Sequence, residues 1–361
     1  MIWLRRVFIG IVALAVLLFV LGNLFNRQIA NFAFDRFVER QAGADPSADL
    51  PDGLHVYLCG TGSPLPDPSR AGPCIGVLAG QKAFVFDVGS GSVRNMGLMG
   101  FPTSRLEAVF LTHLHSDHLD SLGELLLNAW IAGSRDVRLP VYGPEGIGDV
   151  VDGFNQSYRI DGGFRTAHHG PRIANPLGQG GVALEIETPS DPNGSLVVFE
   201  DGDVLITAIQ VAHSPVHPAF GFRVDYKDRS VSISGDTIYS EGFVSGSNGV
   251  DIMFHEALDP EMVGKIGDAL AARGQTVGAK IFSDIPDYHA TPEDAARAAD
   301  AASAGQLVFY HAVPPLPARQ LEVIFLGDVK KIYSGPVSVG RDGTLFSLPA
   351  GSDKIIRETV F

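Results

Sequence analysis

One short run constrains this chain more than any other: Ala108-Val-Phe-Leu-Thr-His113-Leu-His115-Ser-Asp117-His118. A stretch of apolar, β-forming residues leads straight into four ligand-type side chains, His113, His115, Asp117 and His118. Alternation along an extended segment puts His113 and His115 on one side. Asp117 and His118 fall where the chain turns into Leu119 to Ile131, which is apolar at helical spacing. Two pairs of donors can then face two adjacent cations. A solvated surface loop has no need of this density of ligands directly behind a strand.

The same device recurs along the chain. Val204 to Ala212 reads as a strand and is followed by His213, and Ser230 to Ser234 is followed by Gly235-Asp236. Val250 to Phe254 is followed by His255-Glu256, and Leu307 to Tyr310 by His311. Strand after strand thus delivers a ligand or an acid at its C-terminal end, where open α/β sheets bind their ligands, and one shared cleft is expected. Two neighbouring divalent ions can share a hydroxide and lower its pKa, and a carboxylate bridging both holds them together. Asp236 is the candidate bridge; the other expectation for it is a turn-forming aspartate beside Gly235. The expected cofactor is a pair of divalent ions, zinc first, with manganese or iron accepted by the same donors.

With 361 residues, 45% of them hydrophobic, the chain has ample material for a buried core. Further β-rich runs lie at His55 to Cys59, Ile75 to Leu78, Ala83 to Val88, Arg138 to Tyr142, Ser195 to Glu200 and Phe220 to Tyr226. Thr291-Pro292-Glu293-Asp294 is a capping box opening an alanine-rich helix that runs to Gly305, and Asp259-Pro260 opens another that stops near Gly274. Two series of strands with helices between them predict an α/β fold of two packed sheets with helices outside, a four-layer αββα sandwich. The Gly- and Pro-rich region Asp152 to Asn193 reads as an active-site rim. Gly60-Thr61-Gly62 and Asp87-Val88-Gly89 read as tight turns beneath the metals.

Ahead of this domain, Arg5 and Arg6 precede an almost uninterrupted apolar run from Val7 to Leu21. A bilayer span takes about 20 apolar residues, which Ile2 to Leu4 and Leu24-Phe25 help to supply while the arginines snorkel to the headgroups. No clean Ala-x-Ala follows, so an uncleaved transmembrane anchor is expected ahead of a cleaved signal or a soluble-core helix. The arginine pair places the N-terminus in the cytoplasm and the globular body on the periplasmic side, or secreted if the run is cleaved. The expected layout is 1–27 as anchor or signal, 28–53 as linker and 54–361 as the catalytic domain. Cys59 and Cys74 can form a disulfide in an oxidising compartment, with two buried free thiols as the equal alternative.

The His-x-His-x-Asp-His form of His113 to His118 resembles the metallo-β-lactamase superfamily, and the likeness runs from about Leu54 to Tyr333. It implies a metal-dependent hydrolase with a first metal on His113, His115 and His213, a second on Asp117, His118 and His311, and Asp236 bridging. Gly60-Thr61-Gly62-Ser63, Tyr142-Gly143-Pro144-Glu145-Gly146, Ser234-Gly235-Asp236-Thr237, His255-Glu256-Ala257 and His289-Ala290-Thr291 look like the branch shared by ribonuclease Z and the metallo-β-lactamase-fold arylsulfatases. That branch implies that Glu256 and His289 handle the proton given to the leaving group, so the candidate catalytic residues are Asp117, Glu256 and His289. The plainer expectation is that Glu256 holds a ligand histidine and His289 sits on the surface ahead of its helix.

Ribonuclease Z holds transfer RNA with a basic arm between its third ligand histidine and the bridging aspartate. Here the interval from His213 to Asp236 has room for one hairpin and none for an arm. Acidic groups outnumber basic ones, 41 to 27, and the net charge of −14 repels polyanions in general. The segment His213-Ser-Pro-Val216 through Gly221-Phe222-Arg223 looks like the arylsulfatases. The expected reaction is therefore hydrolysis of a small anionic sulfate or phosphate ester, neutralised by two metals with Arg223 as a candidate third cation; Arg223 serves equally as a strand-surface ion pair. The expected partners are that ester and the membrane, with nucleic acid argued against and a homodimer compatible. His168, His169 and His217 are extra histidines near the expected mouth. The alternatives are a ribonuclease Z-type endonuclease or other phosphodiesterase, and a metal-binding relative without catalysis.

Overall fold

The β-rich runs of the sequence become strands of two sheets in the computed structural model, which describes residues 2–361; Met1 lies outside the described residues. The first series is β1 (Gly53–Gly60), β2 (Cys74–Ala79), β3 (Lys82–Phe86), β4 (Leu106–Phe110), β5 (Leu139–Gly143) and β6 (Gly181–Glu185). The second is β7 (Ser195–Asp201), β8 (Val204–His213), β9 (Val216–Tyr226), β10 (Arg229–Ile233), β11 (Ile252–Leu258), β12 (Leu307–Val313) and β13 (Val337–Val339). Two C-terminal strands, β14 (Thr344–Pro349) and β15 (Ile356–Thr359), return to the first sheet through β1. The sheet orders are β15-β14-β1-β2-β3-β4-β5-β6 and β13-β12-β11-β10-β9-β8-β7.

Alternation turns one face of each sheet inward, and the two inner faces share a core that includes Phe84, Phe86, Phe110, Phe222, Phe254, Tyr310 and Phe346. Phe110 sits at the aromatic centre: its ring stacks on Phe86 at 5.1 Å and on Tyr142 at 4.8 Å, and meets Phe222 edge-on at 5.5 Å from the opposite sheet. Three helices cover the outer face of the first sheet once the N-terminal pair, α1 (Ile2–Leu24) and α2 (Asn26–Gln41), has passed: α3 (Ser92–Met99), α4 (Leu122–Gly133) and α5 (Ile147–His169). The second sheet is covered by α6 (Glu241–Gly246) and, after the hairpin of α7 (Pro260–Ala272) and α8 (Thr276–Asp284), by α9 (Pro292–Ala301). The four-layer αββα arrangement expected from the strand and helix series is the one observed.

Local chemistry accounts for the helix starts. Thr291 Oγ1 accepts the Asp294 N–H at 3.1 Å while Asp294 Oδ2 accepts the Thr291 N–H at 3.0 Å, closing the capping box, and Ala295, Ala296, Ala298 and Ala299 face the sheet. Asp259 caps α7 by accepting the Met262 N–H at 2.9 Å.

Three readings change. The region Asp152 to Asn193 is no rim: α5 runs through it to His169, and β6 follows. Its glycines mask the helix in the sequence, but Gly162 is where the Gln179 side chain packs against the helix, so a side chain there would collide. The stretch 28–53 contains most of α2 and the start of β1. The helix of Thr291 stops at Ala301, short of Gly305.

The N-terminal unit ends at Ala48, and the sheets belong to the unit from Asp49 to Phe361. α1 is long and apolar enough to cross a membrane by length and composition, and none of its side chains is buried. Cys59 and Cys74, on adjacent strands β1 and β2, are joined in a disulfide.

Because Phe110 joins the two sheets, Phe110→Ala in the full chain is expected to lower the unfolding free energy by about 3–5 kcal/mol. Thr291→Ala should cost about 1 kcal/mol through the lost cap. Guanidinium titration measures both; a Phe110→Ala cost below that of Thr291→Ala contradicts the placement of the core.

Candidate metal centre

β9 is antiparallel to both β8 and β10, while β10, β11 and β12 run parallel, so β8, β10, β11 and β12 all point the same way. Their C-terminal ends bring His213, Asp236, Glu256 and His311 to one edge. From the other sheet, β4 continues through Thr112 into His113 and His115, and a short 3-10 turn, Ser116–His118, swings Asp117 and His118 inward. Gly235 has φ +61°, and a Cβ there would stand 2.7 Å from the Phe220 carbonyl oxygen; this explains why glycine precedes Asp236. Asp87 and His311 carry φ of 57° and 47° without being glycine, a conformation that costs about 1–3 kcal/mol and concentrates at functional sites.

Asp87, at the end of β3, organises the site from behind. Its Oδ1 accepts the Thr112 N–H at 2.8 Å, and its Oδ2 accepts the Thr112 hydroxyl at 2.9 Å and His118 Nδ1–H at 2.8 Å. With its proton committed to Asp87, the Thr112 hydroxyl accepts from His113 Nδ1–H at 3.0 Å. His213 Nδ1–H donates to the Tyr288 carbonyl at 2.9 Å. In all three histidines the Nδ1 proton is held outside, so the Nε2 lone pair faces the cleft.

These lone pairs crowd together. His115 Nδ1 lies 3.0 Å from His113 Nε2 and 3.3 Å from His213 Nε2. His118 Nε2 is 3.4 Å from Asp236 Oδ2, and His311 Nε2 is 3.3 Å from Asp117 Oδ2. One ligand atom from each of His113, His115, His213 and Asp236 lies within 4.8 Å of the others, and the same holds for Asp117, His118 and His311 and for Asp236, His289 and His311. His118 Nε2 and Asp236 Oδ1 are buried without a hydrogen-bond partner. Burial and the surrounding imidazoles hold His113 well below its ordinary pKa. Burial opposes charge on Asp236, yet His311 and His118 hold it well below the usual carboxylate range. Imidazole nitrogens and carboxylate oxygens converging on one volume form a donor set suited to divalent metal, and the orphaned buried atoms are those a cation would satisfy.

Beside the cluster lies a cavity of about 280 Å³ with Leu65, Phe282, Ile285 and Tyr288 among its walls, and His115, Asp117, Asp236, His289 and His311 at its floor. Glu256 is fully buried and does not line it. Its Oε1 accepts from His289 Nδ1–H at 3.1 Å, from the Ala290 N–H at 3.0 Å and from the Thr237 N–H at 3.2 Å. Burial works against charge on His289, but the Glu256 carboxylate lifts its pKa to about 9, so the ring is a cation with its second N–H left for the cavity. The Glu256 carboxylate thus fixes the orientation of the His289 ring, and His289 is not a surface residue.

Other sequence candidates lie elsewhere. Arg223 is engaged by Asp225 at 2.8 Å and by the Asn248 carbonyl at 2.9 Å, the strand-surface ion pair of its plainer reading. His168 and His169 end α5, exposed, and His217 is exposed on β9. Sequence reasoning passed over two orienting groups. Asp87 was visible only as a turn residue, although it stands at a strand end like the ligands; the Tyr288 carbonyl carries no sequence signal, since any residue supplies one.

Residues 100–312 match the beta-lactamase superfamily domain. Ribonuclease Z of Mycobacterium avium (strain 104) is 34% identical over 80% of this chain and 96% of that protein. Ribonuclease Z of Mycolicibacterium paratuberculosis (strain ATCC BAA-968 / K-10) is 35% identical over the same shares. The crystal structure of the short form of human tRNase Z shares the fold with a TM-score of 0.58 at 21% identity, covering 82% of this chain and 99% of that one. These findings overturn the expected exclusion of nucleic acid and the expected small anionic ester, and they leave the arylsulfatase likeness without support. The interval between His213 and Asp236 does hold only the hairpin of β9 and β10, but relatives named as ribonucleases align over nearly their whole length. Net charge was the wrong guide, because it sums the whole surface whereas binding senses the local field. The chain belongs to the metallo-β-lactamase superfamily, in its ribonuclease Z branch, and is a metal-dependent hydrolase of that fold.

Proposed function

We propose that this protein is a membrane-anchored phosphodiesterase that cleaves RNA. The observation that carries the reading is His289, held by a buried carboxylate at the wall of a cavity with a metal-type donor set, in a chain 34% identical to a ribonuclease Z. Two divalent ions, zinc first, held by His113, His115 and His213 and by Asp117, His118 and His311 with Asp236 between them, would polarise the phosphoryl group and activate water.

The chain's own residues do the rest. Asp87, Thr112 and the Tyr288 carbonyl keep three imidazoles turned toward the cleft, so no reorganisation is needed when a cation arrives. His289 gives its proton to the departing oxygen, and Glu256, out of reach of substrate, keeps that ring charged and oriented. Leu65, Phe282, Ile285 and Tyr288 keep bulk water away, and the aromatic rings offer faces for a base beside the scissile bond. The apolar α1 supports anchoring, and Arg5 and Arg6 support a body on the periplasmic side, where an oxidising medium maintains the Cys59–Cys74 disulfide.

The substrate class is tested with the full chain in detergent, offered single-stranded RNA, precursor transfer RNA, bis(p-nitrophenyl) phosphate and an aryl sulfate. Cleavage of RNA and the phosphodiester is expected; turnover of the sulfate with neither phosphodiester cleaved contradicts the proposal. Asp236→Ala should lose metal as well as rate, and elemental analysis that still finds two ions per chain removes Asp236 as the bridge. Glu256→Gln should keep its metal and slow poor leaving groups most. Since the acid form of His289 is the active one, kcat/KM falls as pH rises through its pKa, and losing the Glu256 charge moves that alkaline limb to lower pH. An unmoved limb with equal slowing of all esters rules out this role. For the anchor, carbonate-washed membranes should retain the full chain and release one lacking residues 2–24, while a reporter fused at the C-terminus should be active only in the periplasm.

A further inference from the structure

The metal cluster gathers six of the chain's 11 histidines but none of its arginines, and the arginines are not evenly spread. A second cavity, of about 750 Å³, is lined by Arg70, Arg319, Arg341 and Arg357, with Glu322 and Asp342 as its acidic side chains. A locally basic cavity thus sits in a chain of net charge −14. The two acids offset only part of this charge. Glu322 pairs with Arg341. Asp342 accepts from the Thr61 N–H at 2.9 Å, the Thr61 hydroxyl at 2.8 Å, the Ala71 N–H and Asn95 Nδ2–H at 2.8 Å.

Arg70 supplies an independent sign that something is meant to bind. Its side chain is 2% exposed; Nη1 donates to the Thr61 hydroxyl at 2.7 Å and the Gly340 carbonyl at 2.6 Å, and Nε stands 3.8 Å from Asp67. Its Nη2 is buried with no partner at all. Leaving such a donor unsatisfied costs about 1–3 kcal/mol, more when the group is charged, and an anion in the cavity would recover it. Arg357 lies over the Phe346 ring at 5.5 Å and Arg319 is exposed, so neither forms an ion pair among the described residues.

The position of the cavity says which anion. The loop after β1 sends Pro64 and Leu65 into the metal cavity, and Ser69 and Arg70 into this one. The end of β12 and the loop after it do the same with Val313 and Arg319. Leu65 and Ser69 are at most about 14 Å apart along the backbone. The two cavities therefore lie on two sides of the same two loops. A volume of this size, with charges from separated segments, suits several linked phosphates better than one free ion.

We propose that this arginine cavity is a phosphate-binding subsite that grips the backbone of single-stranded RNA beside the scissile bond. The inference rests on the reading of the metal centre as a ribonuclease site. It gives the enzyme its preference for a polynucleotide over a small diester, through phosphate contacts that carry no base sequence.

The test compares kinetics of the zinc-loaded full chain on a single-stranded RNA oligonucleotide and on bis(p-nitrophenyl) phosphate. Arg319→Glu, at an exposed position that cannot disturb the core, is expected to raise KM for RNA tenfold or more relative to the small diester. The slope of log kcat/KM against log salt should become shallower by about 0.7 for each phosphate that is no longer gripped. Arg357→Gln should act in the same direction, and Arg357→Lys should restore most of the loss. Unchanged RNA KM and salt slope in both variants, with the small diester still cleaved, overturns the subsite and leaves the phosphodiesterase standing. If no phosphodiester is cleaved by the unaltered protein, the ribonuclease reading falls. Calorimetry with tripolyphosphate then still decides the cavity: binding that Arg319→Glu abolishes supports a polyphosphate site, and no binding overturns it.

Discussion

Asp87 carries no exposed surface to speak of, and both its oxygens are occupied by Thr112 and His118. That arrangement decides which nitrogen of His118, and through the Thr112 hydroxyl which nitrogen of His113, is left as a lone pair in the cleft. An imidazole free to choose its tautomer would present a proton to a cation in one form and a lone pair in the other; a carboxylate behind it removes the choice. The fold exists in good part to keep this carboxylate still. β3 and β4 are parallel neighbours whose phenylalanines pack into the inter-sheet core, so the residue after one strand and the residues after the other stay in register.

The rest of the site is an exercise in tolerated electrostatic stress. Asp236, His113, His118, His213 and His311 are buried together with Asp117 half-buried beside them, and without a cation some of their polar atoms have nothing to bond. Such a cluster destabilises an empty fold and is relieved by binding, which links metal affinity to folding. Non-glycine residues with positive φ at Asp87 and His311 belong to the same pattern: local cost accepted where geometry matters, offset by the aromatic core.

Much of this was legible in the sequence, for identifiable reasons. The ligands could be read because each follows a strand run with strong alternation, and strand ends are where ligands gather. The helix of Thr291 could be read from its cap. α5 could not, because its glycines at 148, 153, 162 and 163 remove the helical signal and its apolar face is read only by the neighbours it packs on. β14 owes its existence to pairing with β1, far away along the chain, and β15 follows by pairing with β14; no local pattern encodes the distant partner. The role of Asp87 depends on a contact with the next strand, so an Asp-Val-Gly turn was all the sequence offered. The exclusion of nucleic acid failed for a different reason. A net charge of −14 is a sum over the whole chain, whereas Arg70, Arg319, Arg341 and Arg357 line one cavity together. Screening over about 8–10 Å lets such a patch act almost independently of distant acids.

The metal centre depends throughout on the orientation of lone pairs toward two neighbouring positions. Anomalous X-ray diffraction from crystals grown with zinc, recorded on either side of its absorption edge, tests it most directly. Two peaks are expected, one among His113, His115 and His213 and one among Asp117, His118 and His311, with Asp236 reaching both. A single peak, or zinc bound through the nitrogens that the Asp87 network holds as N–H donors, would contradict it.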